Sequence, residues 1–138
     1  MDLEGNNLQG QIPASFKALT DLTSLNLAKN QITGFEKGAL PPLTQLKTLN
    51  LSETKVASFD ELPGNLTRLE LNKLEVPAKT DFPALPQLQH LNMSETTWDM
   101  DNAKSLQGLV DAFQNLQEWM MTGVQLQGNE LFTFPQSI

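Results

Sequence analysis

The sequence predicts an α/β solenoid: a curved parallel β-sheet on the concave face, with short helices, 3-10 turns and loops returning along the convex face. Three observations lead there. A unit recurs along the chain, most complete at Leu22-Thr23-Ser24-Leu25-Asn26-Leu27-Ala28-Lys29-Asn30-Gln31-Ile32, and such periods mark units that bury their apolar faces only by stacking on one another. The copies keep their apolar residues at fixed offsets, as in Leu46, Leu49 and Leu51, then Leu66, Leu69 and Leu71, then Leu88, Leu91 and Met93, then Leu116, Trp119 and Met121. A turn-forming Asn closes the early units at Asn6 and Asn30.

Aligned on the last apolar residue of each core (Leu3, Leu27, Leu51, Leu71, Met93 and Met121), the units are spaced by 24, 24, 20, 22 and 28 residues. Strand cores are therefore expected near 1–4, 24–28, 48–52, 68–72, 90–94 and 118–122. Strand side chains alternate in direction, so the Leu positions face inward and the residues between them outward. Parallel strands spaced by ~4.8 Å bring equivalent positions into ladders. The closing Asn is expected to turn inward and bond neighbouring backbone. Thr54, Leu74, Thr96 and Val124 stand in its place later. Since an unbonded interior backbone group costs about 1–3 kcal/mol, the second half should be less regular.

The return legs differ in length. Residues Ile12 to Phe16 and Phe35 to Leu40 are expected to form short helical or 3-10 turns, with Phe16, Leu19, Phe35 and Leu40 inward. In the longest unit Asp101 reads as an N-cap, and Leu106, Leu109, Val110, Phe113 and Leu116 recur at helical spacing. An α-helix is expected at roughly 102–115 on the convex side.

Over nearly all of its length the chain resembles the leucine-rich repeat family. Asn6-Asn7-Leu8-Gln9-Gly10-Gln11-Ile12-Pro13 is similar to the NxLxGxIP turn of plant receptor ectodomains, and Leu62-Pro63-Gly64-Asn65-Leu66-Thr67-Arg68-Leu69-Glu70-Leu71 to the LPxxLxxLxL units of bacterial effectors. The resemblance implies a right-handed horseshoe segment, a single domain over 1–138 with about five to six repeats, and recognition of a protein or peptide instead of chemistry. The mixture of turn types and the uneven spacing depart from a regular plant receptor and favour a microbial surface protein, as a receptor or adhesin ectodomain. Met1-Asp2-Leu3 enters in mid-strand and Phe132-Thr133-Phe134-Pro135 offers no polar cap. Solenoids need polar ends, so the chain is expected to be the repeat part of a larger surface or secreted protein, lacking its native caps, with end-to-end self-association open to it.

A net charge of −7 argues against nucleic acid, whose phosphates select Lys and Arg, and against anionic lipid. Cysteine is absent, which removes disulfides, a thiolate nucleophile and Cys-based zinc sites. No apolar run approaches the ~20 residues of a membrane span, so direct membrane insertion is not expected. The first residues lack a basic segment followed by an apolar one, so no signal peptide is expected in this chain. An extracellular or cell-surface setting is nevertheless favoured.

The outward ladders are the candidate partner-binding surface. One reads Lys29, Glu53, Lys73 and Glu95, alternating in sign. It is either a recognition strip or a set of exposed pairs that register the sheet at ~0.2–1 kcal/mol each. A second reads Asn26, Asn50, Glu70, Asn92 and Met120. Its amides suit a peptide backbone or sugar hydroxyls, though a compact polar residue also suits any solvated strand. A third reads Ser24, Thr48, Arg68, His90 and Glu118; here Arg is favoured at interface hot spots and His titrates near neutrality.

Catalysis is not expected. His90 is the only histidine, and Ser94, four residues along the same face, would lie ~13 Å away, beyond the ~3 Å a nucleophile and base require. No cofactor or metal is expected. Asp99-Met100-Asp101-Asn102 suggests a calcium loop, but Lys104 and Val110 stand where Gly and Glu are needed, and helix capping explains the Asp residues better. Sequons at Asn50, Asn65 and Asn92 follow largely from the strand pattern, and Trp98 and Trp119 read as core. The alternatives to protein recognition are a self-assembling spacer and a carbohydrate-binding adhesin. The second is weakened by ladders that offer no aromatic ring to a sugar.

Overall fold

The computed structural model describes residues 1–76, 85–99, 116–120, 122–123 and 125–127. In chain order the elements are β1 (Gln9–Ile12), a 3-10 turn (Ala14–Ala18), β2 (Ser24–Asn26), β3 (Gln31–Phe35), β4 (Thr48–Asn50) and β5 (Arg68–Glu70). They continue with β6 (Glu75–Val76), β7 (His90–Asn92), β8 (Thr97–Asp99), β9 (Glu118–Met120) and β10 (Gln125–Gln127). β2, β4, β5, β7 and β9 form a five-stranded sheet in sequence order. Every pairing in it is parallel and in the register of the repeat, so Leu25, Leu49, Leu69, Leu91 and Trp119 share one ladder. Asp2 adds an isolated parallel bridge to Asn26.

The strands are three residues long and read Ser-Leu-Asn, Thr-Leu-Asn, Arg-Leu-Glu and His-Leu-Asn. Asn, Glu and Leu are not strong strand formers, so local preference does not explain them. Stacking does. Leu25, Leu49, Leu69 and Leu91 are at most 1% exposed, and Leu27, Leu51, Leu71 and Met93 at most 2%, leaving each repeat roofed by its neighbours. The backbone ladder runs the same way from unit to unit. The N–H groups of Leu3, Leu27, Leu51, Leu71 and Met93 donate to the carbonyls of Asn26, Asn50, Glu70, Asn92 and Met120 at 2.7–2.9 Å.

A second set of strands lies beyond the turn and is not expected from the sequence. β1 pairs with β3, and β6, β8 and β10 form a three-stranded sheet, both parallel. Between the two sets the chain at Lys55 keeps one such bond, its N–H donating to the Ile32 carbonyl at 2.9 Å. The sequence does carry a signal in Ile32, Val56 and Leu74, all at most 1% exposed, but a lone apolar residue does not separate a strand from a turn.

The convex legs are mostly turns. The expected 3-10 segment forms at Ala14–Ala18, with Phe16 and Leu19 packed on the core as partly buried residues. The leg from Phe35 to Leu40 is a short turn of the 3-10 kind: Phe35 ends β3, the Ala39 N–H donates to the Glu36 carbonyl at 3.0 Å, and Phe35 and Leu40 are buried as expected. Carboxylates from the next repeat satisfy free amides here: Glu36 accepts from Ala14 N–H and Glu61 from Gly38 N–H, both at 2.8 Å. Among the described residues no helix is long and apolar enough to cross a membrane. The helix expected at 102–115 with its Asp101 cap, the inward place of Val124 and the acidic stretch after Asp99 lie outside the described residues. So do the side chains of Trp98 and Trp119.

Candidate functional site

The five-stranded sheet presents two outward columns, each fixed by strand register. The first is Ser24, Thr48, Arg68, His90 and Glu118; the second is Asn26, Asn50, Glu70, Asn92 and Met120. Asp2 extends the second column by one place. The residues expected from the sequence to contact a partner are Lys29, Asn50, Glu53, Arg68, Glu70, Lys73, His90, Asn92, Glu95 and Glu118; they fall on this face or its rim, though not all where the sequence placed them.

Lys29, Glu53, Lys73 and Glu95 require correction. They are not strand positions. The strands end at Asn26, Asn50, Glu70 and Asn92, and these four side chains stand three residues further on, in left-handed backbone with φ of 56–59°. Gly5 and Gly123 take the equivalent places in the units before and after, with φ of 68° and 72°. The ladder imposes the conformation: the N–H groups of Gly5, Lys29, Glu53, Lys73 and Glu95 each donate to the adjoining repeat at 2.8–3.0 Å, so no one turn relaxes alone. The alternation of charge is realised as Lys73 lying 3.6 Å from Glu53 and 3.8 Å from Glu95. Lys29 turns instead to Glu4 at 2.9 Å. Its ammonium, with the Asn26 amide second, holds the Glu4 carboxyl below its usual 4.5; Glu4 in turn, with the charge of Glu53, holds Lys29 above 10.5.

The Asn column does less for a ligand than its amides suggest. The side-chain oxygens of Asn26 and Asn50 accept the N–H two residues on, from Ala28 at 3.1 Å and Ser52 at 3.0 Å. Asn92 accepts both the N–H and the hydroxyl of Ser94, at 3.2 and 2.9 Å. These acceptors close the strand ends. In the repeat that carries Glu70, the Asn72 N–H turns to the Ser52 hydroxyl at 3.0 Å, and Glu70 faces Arg68 at 3.7 Å. What Asn50 and Asn92 offer outward is their NH2 groups.

The third expected cluster does assemble. Arg68, Glu70, His90, Asn92, Glu118 and Met120 border a shallow depression over Leu69 and Leu91. Glu118 Oε2 lies 3.7 Å from His90 Nδ1, close enough for charge attraction to an imidazolium but too long for a hydrogen bond. Nδ1 is shielded from solvent and lacks a hydrogen-bond partner. Met120, 45% exposed, stands on the outward column where the sequence places it, opposite Asn92, though sequence reasoning leaves it out of the contact set. Glu4 escapes that reasoning too, since its role rests on a contact with Lys29 across one repeat.

Residues 1–56 match the family model for Leucine rich repeat. The register found there continues through β5, β7 and β9. The fold is that of a leucine-rich repeat solenoid. No curated protein matches the chain. Leucine-rich repeats as a family mediate protein–protein interaction and are typically not enzymes. Among the described residues no group of His, Asp and Glu could hold a metal ion.

Proposed function

We propose that this leucine-rich repeat solenoid is a recognition module that holds a protein or peptide on its concave sheet. The observation that carries this is the left-handed ladder. A non-glycine residue in that conformation costs about 1–2 kcal/mol, whereas an exposed ion pair returns about 0–1 kcal/mol. Gly stands in this turn at Gly5 and Gly123, yet Lys29, Glu53, Lys73 and Glu95 occupy it between them. Four charged side chains kept at a net loss of stability are best explained by contact with something outside the fold. The contact set is these four with Asn50, Arg68, Glu70, His90, Asn92 and Glu118. The partner is protein, not nucleic acid or lipid, and the setting is extracellular, as the repeat domain of a larger surface or secreted protein.

A random dodecapeptide library displayed on phage tests this. Binders selected on the native chain should fail on a folded Thr48→Trp/His90→Trp variant, which stands two indoles on outward positions of β4 and β7. Binders that hold both proteins equally, or the absence of any, would overturn the concave-face reading.

A further inference from the structure

Resting on that reading, we propose that the C-terminal end of the concave sheet is an anchor for one lysine or arginine side chain of the partner. The argument is a census of charge along the face. Glu4, Glu53, Glu70 and Glu95 each have a Lys or Arg within 4 Å, at 2.9, 3.6, 3.7 and 3.8 Å. Asp2 uses its carboxylate on the Glu4 N–H at 3.0 Å. Glu118 differs. Its one ion-pair neighbour among the described residues is His90, a cation only when protonated, and its side chain is 53% exposed.

Two residues along the same strand face, at ~6.6 Å, stands the exposed thioether of Met120. Between these two and Arg68 lies the depression, and the Arg68 guanidinium is drawn towards Glu70 on its own strand. A carboxylate with no Lys or Arg beside it among the described residues, next to a polarizable apolar surface, complements a long side chain with an apolar stem and a cationic head. The stem lies on Met120 and the head makes a charge-assisted hydrogen bond to Glu118. An acidic side chain would meet Glu70 and Glu118 instead. The chain's charge of −7 draws a basic segment to the face.

The dodecapeptides that fail on the Thr48→Trp/His90→Trp variant supply the test. They should share a Lys or Arg at one place, and Glu118→Gln should weaken them about tenfold or more, as loss of a charge-assisted hydrogen bond does. Met120→Ala should weaken them by a smaller factor, and Asp2→Asn, at the far end of the sheet, should leave them unchanged. Replacing the shared basic residue by norleucine in the peptide should reproduce the Glu118→Gln loss. Peptides that need the concave face yet share no basic residue, or bind Glu118→Gln as tightly as the native chain, overturn the anchor and leave the recognition reading standing. Peptides indifferent to the two indoles overturn both.

Discussion

Asn30 shows how much one side chain holds in this fold. It is 4% exposed, accepts the Leu8 N–H at 2.9 Å, and donates to the carbonyls of Leu3, Leu27 and Ala28 at 2.9–3.1 Å. Thr54 and Thr96 take the same place with a hydroxyl, each donating to the carbonyl three residues back at 2.7 Å. Asn30→Ala should therefore lower stability by about 2–4 kcal/mol, and Thr54→Val by about 1 kcal/mol, as read from urea midpoints. Asn6, at the same place one repeat earlier, does not turn inward as expected. It is exposed and its amide donates to the Glu4 carbonyl at 3.3 Å. Glu53 tests the left-handed turn. Glu53→Val, with a branched Cβ, should cost about 1–2 kcal/mol, while Glu53→Gly should not lower the midpoint. The Glu4–Lys29 pair sets a pH window. Glu4, lowered, adds stability above 4.5 and loses it as pH falls through its folded value; Lys29, raised, adds stability below 10.5 and loses it as pH rises through its own. In an NMR titration the Glu4 carboxyl should therefore titrate below 4.5, and Lys29→Met should move it upward.

A strand here is a consequence of its neighbours. β4 is three residues long, and its central Leu49 is fully buried between Leu25 and Leu69. Leu49→Ala should cost about 2–5 kcal/mol, the range for emptying a packed Leu site. The loss should appear as reduced amide protection in β2 and β5 as well as β4. Protection lost in β4 alone would show that the repeats are held less by their shared core than by their own turns. The second parallel set, including β1–β3 and β6–β8–β10, obeys the same logic. Once Ile32 is fixed inward, its backbone lies beside the repeat before it.

Across the molecule, ladders convert a one-dimensional pattern into a surface. Paired charges lie along most of the face, and the carboxylate without a Lys or Arg partner among the described residues is at its C-terminal end. Long-range attraction to a basic partner is screened over ~10 Å at 0.1 M salt. Association of the selected peptides should therefore slow as ionic strength rises, with dissociation changing less. Association rates insensitive to salt would count against steering by this charge.

The sequence alone determined the period, the inward ladders and the residues that share a column, because stacked units must bury the same offsets. That is why the repeat pattern by itself places Arg68, His90 and Glu118 together. The tertiary structure decided what lies between the columns. Strand ends, left-handed turns and the second sheet are set by hydrogen bonds to the adjoining repeat, and a single unit carries no record of them. Lys29, Glu53, Lys73 and Glu95 thus read as strand residues in the sequence and stand in turns in the fold.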